Sequence, residues 1–321
     1  LLACVTGNPG IPGGGTGARE GARGLGVGTS FYSEFVNPSN KIISCFSWLD
    51  AIDHGPEMNT FNAGVGVKPE PGVRGLKIPV DENMQPENTS LEVPIKAVFQ
   101  YASNSLVNQT GDNNESVRIL EDESKCELIV TTDIMYTVSA RYSDYVLPGT
   151  STSEEFDYHA GANGGPMAYG IVSQQAIEPM YETKSIFDIC TELAAKLDLE
   201  QEFTGGKSRE DWLREAINGS REDDPALPTW DEWKEMGIYR RNDGPVITMK
   251  DFREDPEANP VPTPSGKIEI YSERLANLAK AWEFGVFRPA LAGDVLTPLP
   301  EFVATWEGAL EARENADHPL Q

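Results

Sequence analysis

The amino-acid sequence predicts an α/β fold with a twisted, mainly parallel sheet, helices on both faces and long loop insertions. Segment 95–147 alternates strand-like and helix-like stretches in the order strand, loop, helix, strand, helix, strand, which is typical of parallel βαβ units. Its middle strand, Glu127–Thr131, is almost continuously apolar, as expected for a strand buried on both faces of a sheet. The 23 prolines and 30 glycines of the 321-residue chain favour long loops between these elements.

Each predicted element of this segment is bounded by a change in composition. Apolar and aromatic residues mark the strands, and polar or charged residues flank the short helices. The predicted elements are strand Ile95–Tyr101, polar loop Ser103–Asn114, a helix around Val117–Leu120, strand Glu127–Thr131, helix Thr137–Tyr142 and strand Asp144–Leu147. Pro148 and Gly149 end the last strand.

Less regular stretches lie on both sides of this segment. Upstream, Ile42–Trp48 fits either a strand or a short helix, and Asn59–Pro94 has the composition of a surface insertion. Downstream, apolar residues of Ile186–Leu197 recur at helical spacing, and Lys267–Tyr271 alternates as a half-exposed strand does. Further predicted elements are a strand at Ile171–Ile177 and helices around Trp212–Ile217 and Trp230–Trp233.

The net charge of −25 excludes several classes of partner. Because so acidic a surface repels phosphate backbones and anionic membrane surfaces, we expect no nucleic-acid partner. No apolar run approaches the ~18 residues of a transmembrane helix, so no direct membrane span is predicted. An acidic, non-catalytic binding module is compatible with this composition and stays open as an alternative function.

The cysteines and histidines give no metal site or catalytic nucleophile within the chain. The histidines, His54, His159 and His318, neither stand at metal-ligand spacing nor lie beside a serine or cysteine in a catalytic motif. The cysteines are widely separated and form no C-x-x-C pair; they are Cys4, Cys45, Cys126 and Cys190. We therefore assign no catalytic residue and no metal ligand to this chain.

Two glycine clusters near the start of the chain superficially resemble loops that cradle phosphate groups. Gly10–Gly17 and Gly24–Gly28 lack the preceding strand and following helix that a dinucleotide-binding loop requires. Neither cluster is followed directly by a G-K-[ST] sequence. The residues alone therefore favour a shaped packing loop over a phosphate cradle.

Polar side chains follow two neighbouring predicted strands. Thr132 and Asp133 come just after the apolar strand, where open α/β sheets bind their ligands. The Asp133 carboxylate could accept two parallel bonds from the N1 and N2 edge of a guanine, or it could cap a helix that starts near Tyr136. The loop Ser103–Asn113 is rich in amides, which suit ribose and phosphate oxygens but also an ordinary polar turn. Because both loops follow adjacent strands, we expect them to form a nucleotide site together.

Three longer motifs along the chain carry a likeness to a known protein family. They are T-G-N-P-G-I-P-G-G at Thr6–Gly14, T-V-S-A-R-Y-S-D-Y-V-L-P at Thr137–Pro148 and T-P-S-G-K-I-E-I-Y-S at Thr263–Ser272. Together they resemble the T-G-N-x-G-x-x-G-G, T-x-[ST]-A-x-x-A-D-x-x-L-P and T-x-S-G-K-I-E-I-Y-S signatures of the dimethyl sulfoxide reductase family of molybdopterin oxidoreductases. Ser143 stands where alanine is usual. The likeness covers most of Thr6–Leu278.

The resemblance implies an oxidoreductase that carries molybdenum on a bis(molybdopterin guanine dinucleotide) cofactor. It implies a Rossmann-like domain, one of two that flank the cofactor, which holds one guanosine end. The positions that match the family's nucleotide contacts are Asn108 in the amide loop and Thr132 and Asp133 at the strand end, with Asp133 on the guanine edge. Gly7 and Asn104 are weaker candidates for shaping the site.

Asp251–Pro256 and segment 121–130 further resemble the catalytic A subunit of anaerobic, membrane-associated dimethyl sulfoxide reductases. This implies a parent enzyme that reduces a small S- or N-oxide by oxo transfer in anaerobic respiration, with selenate, thiosulfate or tetrathionate as alternative substrates. It also implies an iron–sulfur electron-transfer subunit, a membrane-anchor subunit and a location on the periplasmic side of the bacterial cytoplasmic membrane. The molybdenum ligand and the iron–sulfur cluster are expected outside this chain, which alone should not turn over substrate.

Three parts are therefore predicted along the chain. Residues 1–94 form a glycine-rich loop and an irregular insertion that belong to the same domain as the segment that follows. Residues 95–285 form the Rossmann-like domain that binds the molybdopterin guanine dinucleotide, and residues 286–321 form a loosely held tail that leads to a C-terminal cap domain outside the chain. Because Leu1–Val5 resembles the last turn of a helix, we expect an internal piece of a longer protein.

Overall fold

The computed structural model describes residues 2–14, 39–69, 76–109, 111–160, 167–242, 244, 247–291, 293–304 and 308. The helices in these ranges are α1 (Leu2–Val5), α2 (Trp48–His54), α3 (Thr60–Ala63), α4 (Ser105–Asn108), α5 (Asn113–Leu120), α6 (Ile186–Lys196), α7 (Glu200–Thr204), α8 (Arg209–Ser220), α9 (Trp230–Met236), α10 (Lys250–Glu254) and α11 (Glu273–Ala281), with 3-10 turns at Gly55–Glu57 and Ser139–Tyr142. The strands are β1 (Lys41–Ile42), β2 (Gly66–Val67), β3 (Ala97–Tyr101), β4 (Leu128–Asp133), β5 (Tyr145–Pro148), β6 (Asp157–Ala160), β7 (Met167–Ser173) and β8 (Ile238–Asn242).

The predicted α/β fold is confirmed, and a parallel three-stranded sheet in the order β3-β4-β5 lies at its centre. Gln100 of β3 stands opposite Thr131 of β4, and Thr132 stands opposite Leu147 of β5. Since all three strands run in the same direction, this register brings their carboxyl ends to one edge of the sheet. That edge is where ligands bind in open α/β sheets.

Helices lie on both faces of the parallel sheet, as predicted. On one face, α2, α4 and α5 bury the apolar cluster Leu49, Ile52, Leu106, Val107, Ile119, Leu120, Cys126 and Ile129. Asp112 caps α5 by accepting the Glu115 N–H at 3.0 Å, which fixes the start of that helix. On the other face, Phe99 of β3 and Leu193 of α6 line an apolar groove of about 400 Å³.

A second three-stranded sheet, in the order β6-β7-β8, is antiparallel. The predicted strand Ile171–Ile177 overlaps the end of β7, whereas β6 and β8 were not predicted. The helices predicted around Trp212 and Trp230 are confirmed as α8 and α9. They bury a cluster formed by Ala168, Val172, Ile217, Leu227, Trp230 and Trp233.

The prediction of a strand at Lys267–Tyr271 is wrong. In the part of the chain that the structure describes, this stretch pairs with no other strand. Alternating composition gives a strand only where a neighbouring strand accepts the backbone hydrogen bonds. The stretch follows a tight turn at Gly266, whose φ is 68°, and the Thr263 hydroxyl closes that turn by donating to the Lys267 carbonyl at 2.6 Å.

The segments before and after the parallel sheet contribute to a smaller core. Ile42–Trp48, predicted as strand or helix, contains the end of β1 and the start of α2. Asn59–Pro94, predicted as a surface insertion, instead buries Val65 completely against Ala51 and Met58. Phe287 packs on the same cluster. The division of the chain into 1–94, 95–285 and 286–321 stays a prediction.

Candidate functional site

The candidate site is the edge of the parallel sheet at which β3, β4 and β5 end. The Ala102 N–H donates to the Thr132 carbonyl at 2.9 Å and ties the end of β3 to β4. On the other side, the Gly149 N–H donates to the Asp133 carbonyl at 3.2 Å and ties β5 to β4. The loops that follow β3 and β4 are thereby anchored beside each other on one edge.

Asp133 is the last residue of β4 and is half-buried. Its Oδ1 accepts the Met135 N–H at 2.9 Å, which closes a turn of the Asx type. No helix of the described residues starts near Tyr136, and the 3-10 turn that follows begins only at Ser139. The alternative role as a cap of that helix is therefore wrong, and the carboxylate retains acceptor positions for further donors.

Thr132 lies beside Asp133 and is fully buried. Among the described residues, its hydroxyl has no hydrogen-bond partner. A buried polar group without a partner costs about 1–3 kcal/mol, so this hydroxyl fits a position that a polar ligand contacts. A Cβ added at Gly149 would lie 3.3 Å from Thr132 Cγ2, which shows how closely the end of β5 approaches this side chain.

The amide loop after β3 folds into the single helical turn α4. Leu106 and Val107 point into the core beneath it, which leaves Asn108 exposed at the end of the turn. Asn104, the residue before α4, accepts the Ser139 N–H on its Oδ1 at 3.0 Å. Asn104 therefore shapes the loop by holding it against the segment that follows β4.

The second motif, Thr137–Pro148, makes structural contacts at both ends of the parallel sheet. The Ser139 hydroxyl accepts the Val107 N–H at 3.1 Å, and so anchors α4. The Asp144 Oδ2 accepts the Ile129 N–H at 2.7 Å, and so pairs the beginnings of β4 and β5. These contacts give the motif a structural role beside the candidate site.

A tyrosine and several carboxylates set the electrostatic character of this edge. Burial, followed by the nearby carboxylate of Glu155, raises the pKa of the Tyr101 phenol at the end of β3. The Arg209 guanidinium pairs with Glu155 at 2.6 Å and with Asp157 at 3.0 Å. Tyr101 therefore stays a neutral hydroxyl at neutral pH, which can both donate and accept a hydrogen bond.

The glycine loop at the start of the chain packs against a distant helix. Arg253 of α10 donates to the carbonyls of Gly7 at 2.7 Å and Pro9 at 2.9 Å. Gly10 has a φ of 80°, and a Cβ there would lie 2.6 Å from the Arg253 Cβ. These contacts agree with the packing interpretation for the described part of Gly10–Gly17, residues 10–14, whereas residues 15–17 and Gly24–Gly28 lie outside the described residues.

The described ranges contain no group of three or more His, Cys, Asp or Glu side chains that could hold a metal ion. All four cysteines are free, and burial raises the pKa of the Cys126 and Cys190 thiols. None of the helices in these ranges has the length and apolar character needed to cross a bilayer.

Comparison with known proteins identifies the family of this chain. A family model described as molybdopterin oxidoreductase matches residues 2–196, which include the glycine loop, the amide loop and the end of β4. The chain belongs to the molybdopterin oxidoreductase family. The resemblance drawn from the three motifs is thereby confirmed.

Individual relatives of this family member were also found. The chain is 42% identical to dimethyl sulfoxide reductase DmsA of Escherichia coli strain K12, over 100% of this chain and 36% of that protein. It is 29% identical to a trimethylamine-N-oxide reductase of Haemophilus influenzae, over 85% of this chain and 33% of that protein. Among solved structures, acetylene hydratase from Pelobacter acetylenicus matches at 27% identity and a TM-score of 0.47, over 69% of this chain and 26% of that one. The chain thus spans little more than a third of the curated relatives it matches.

The structure places the three predicted contact residues on two neighbouring segments of one sheet edge. Thr132 and Asp133 end β4, and Asn108 ends the helical turn that follows β3. Their role in binding a nucleotide stays a prediction. The structural roles of Ser139 and Asp144 were missed, because their partners are distant in sequence and no local pattern marks them.

Proposed function

We propose that this chain holds the guanosine end of a molybdopterin guanine dinucleotide within a larger molybdenum oxidoreductase. The observation that carries the proposal is that β4 ends in a carboxylate and in a buried hydroxyl without a partner among the described residues, while an exposed amide ends the helical turn that follows the neighbouring strand β3. Family membership accounts for the molybdopterin part of the cofactor, and this edge supports the guanine dinucleotide form.

The three side chains suit different parts of a guanosine. The Asp133 carboxylate can accept both N1–H and N2–H of guanine, a pair of donors that adenine lacks. The Met135 N–H that already bonds to Oδ1 holds this carboxylate in a fixed orientation. The hydroxyl of Thr132 and the amide of Asn108 can both donate and accept, so they suit ribose hydroxyls and phosphate oxygens.

The reaction belongs to the whole enzyme rather than to this chain. When bound, the molybdenum cofactor supplies oxo-transfer chemistry, while the protein binds and orients it. The names of two relatives, a dimethyl sulfoxide reductase and a trimethylamine-N-oxide reductase, support a small S- or N-oxide as the substrate. From the resemblance of Asp251–Pro256 and segment 121–130 to the catalytic A subunit, we further propose anaerobic respiration on the periplasmic side of the membrane, with electrons delivered through an iron–sulfur subunit and a membrane-anchor subunit.

The nucleotide proposal is tested by replacing Asp133 in the full-length enzyme. Asp133→Ala leaves the two guanine donors unpaired, so we expect guanine nucleotide per polypeptide to fall by roughly 5- to 100-fold at limiting cofactor, the equivalent of ~1–3 kcal/mol. Glu127→Gln serves as the matched control, because Glu127 is an exposed carboxylate at the opposite end of the same strand. Full guanine and molybdenum content in Asp133→Ala would contradict the proposal, because the guanine would then be held without this carboxylate.

The substrate proposal needs a separate assay. Purified full-length enzyme should oxidise a reduced dye with dimethyl sulfoxide or trimethylamine N-oxide as the acceptor. Turnover of selenate, thiosulfate or tetrathionate without turnover of either oxide would replace the proposed substrate class and leave the nucleotide proposal intact.

A further inference from the structure

A chain of buried polar side chains runs beneath the candidate site. The Gln100 amide donates to the Ser103 carbonyl at 2.6 Å and lies 3.5 Å from Thr131 Oγ1. The hydroxyls of Thr131 and Ser143 pair at 2.7 Å, and Ser143 Oγ lies 3.4 Å from the Ser139 carbonyl. These side chains connect β3, β4 and the second motif below the level of the strand ends.

The same chain of contacts reaches the amide loop. Ser139 donates its N–H to Asn104 and accepts the Val107 N–H on its hydroxyl. Because these two bonds fix both ends of the first turn of α4, the position of Asn108 depends on where the 3-10 turn around Ser139 sits. Ser143 follows that turn directly, and its hydroxyl bond to Thr131 attaches the turn to β4 two residues before Asp133.

Burial of these polar side chains costs free energy of folding wherever a hydrogen-bonding atom lacks a partner. Gln100 is 3% exposed and Thr131 is 0% exposed, and Gln100 Oε1 has no hydrogen-bond partner among the described residues. Buried polar groups cost free energy when they are only partly satisfied, and apolar side chains at such positions are often at least as stabilising. Ser143 adds a hydroxyl where the family usually has alanine. Packing alone therefore gives no reason for the Thr131–Ser143 pair.

We propose that Thr131 and Ser143 are positioning residues, whose hydroxyl pair sets the distance between the amide loop and Asp133. The proposal rests on the function proposed above, because it treats the two loops as parts of one nucleotide site. Neither residue contacts the nucleotide in this view. The hydrogen bond between them keeps Asn108 and Asp133 aligned before the nucleotide binds. Binding therefore loses less conformational entropy.

Two substitutions at Thr131 separate positioning from stability. Thr131→Val keeps the shape of the side chain and removes the hydroxyl, whereas Thr131→Ser keeps the hydroxyl and removes a buried methyl group. In the full-length holoenzyme we expect Thr131→Val to lose guanine nucleotide roughly 3- to 10-fold faster than the parent, the effect of about one net hydrogen bond. Thr131→Ser should retain nucleotide like the parent, although its thermal midpoint should fall below that of Thr131→Val because of the cavity.

The two measurements therefore rank the variants in opposite orders if the proposal holds. If Thr131→Ser has the lower thermal midpoint and also loses nucleotide faster than Thr131→Val, the positioning role is overturned. Ser143→Ala supplies a second arm: it should lose nucleotide as fast as Thr131→Val, and the double variant should be no faster than either single variant. If the increases in the rate of nucleotide loss add up in the double variant, the two hydroxyls act independently and their hydrogen bond is not the cause.

The Asp133 variant distinguishes this proposal from the one it rests on. If Asp133→Ala keeps its nucleotide, the nucleotide site itself is misplaced and the positioning role falls with it. If Asp133→Ala loses nucleotide while Thr131→Val and Ser143→Ala retain it, only the positioning role is overturned.

Discussion

The parallel sheet and the antiparallel sheet have the same number of strands, but they are stabilised in different ways. The antiparallel sheet packs against Trp230 and Trp233, both 0% exposed. The parallel sheet also buries an apolar cluster, but it leaves Tyr101 and Tyr145 more than half exposed, and the hydrogen bond from Ser139 to Asn104 holds the amide loop at its carboxyl edge. Packing therefore stabilises both sheets, and directional contacts in addition arrange the loops at one edge of the parallel sheet.

A run of exposed apolar residues follows β4 of the parallel sheet. Ile134, Met135 and Tyr136 follow Asp133 directly and are 63%, 66% and 68% exposed. Contiguous apolar surface of this kind marks places where a ligand or another part of a protein is in contact. Because this apolar run directly follows the candidate site, we expect a ligand or another part of the protein to cover it.

Replacement of a buried tryptophan should have the largest effect. Trp233 packs edge-on against Tyr158 and Tyr239, and its indole donates to the Gly170 carbonyl at 3.2 Å. We expect Trp233→Ala to lower the free energy of unfolding by about 3–5 kcal/mol. Denaturant unfolding of the full-length protein measures this loss, with the exposed Phe302→Ala as the control. A loss below about 1 kcal/mol would contradict the central role of packing in this sheet.

Two glycines, one in each sheet region, test the comparison with the same substitution. A Cβ at Gly170 of β7 would lie 2.4 Å from Trp233 Cζ2, so Gly170→Ala should cost about 1–3 kcal/mol by overpacking. A Cβ at Gly149 would lie 3.3 Å from the Thr132 methyl group and in ordinary van der Waals contact with the Asp133 backbone, at 3.7 and 3.8 Å. Gly149 has no positive φ, so alanine fits its backbone conformation. In Gly149→Ala the lower entropy of the unfolded chain, worth ~0.4–1 kcal/mol, offsets the close contact, and we expect little net change in stability. Thermal midpoints of Gly170→Ala and Gly149→Ala test this expectation. Equal decreases in the two midpoints would contradict the difference in packing around the two glycines.

The two sheets also differ in how well the sequence predicts them. The strands of the parallel sheet lie within one short segment and each begins with an apolar run, so local patterns located all three. β6 and β8 contain charged residues at alternate and adjacent positions, as at Arg240 and Arg241, and both pair with β7, which is distant from β8 in sequence. Lys267–Tyr271 shows the converse, because a strand-like pattern without a neighbouring strand forms no sheet.

The candidate site shows the same limit. The likeness to the family pointed to Asn108, Thr132 and Asp133, because they lie in or beside recognisable stretches. The contacts that arrange them were not predictable, since Asn104 and Ser139 are 35 positions apart and Thr131 and Ser143 are 12 apart. Such pairs depend on strand register and on the exact path of a turn, neither of which a single sequence reports.

A hydrogen-bonded carboxylate in the parallel sheet should matter less than the tryptophan. Asp144 Oδ2 accepts the Ile129 N–H, and the Asp144 N–H donates to the Ile129 carbonyl at 2.9 Å. Asp144→Ala removes only the side-chain bond and leaves one buried N–H unpaired, so we expect a loss of about 1–2 kcal/mol. Hydrogen exchange at the Ile129 amide should accelerate by a corresponding factor. An unchanged exchange rate would show that this bond does not hold the two strands together.

The smallest expected effect concerns a carboxylate in the loop that joins the two sheets. Glu154 accepts the Ser151 and Met180 N–H groups, each at 2.7 Å, and these bonds lower its pKa from 4.5 to about 2. A lowered folded-state pKa stabilises the fold above the unfolded value, so this contribution is complete above about pH 4.5 and is lost as pH falls toward 2. In Glu154→Gln the group cannot titrate, so the free energy of unfolding should depend less steeply on pH between 4.5 and 2. A slope in Glu154→Gln equal to that of the parent would show that the two hydrogen bonds to Glu154 do not make the stability of the fold depend on pH in this range.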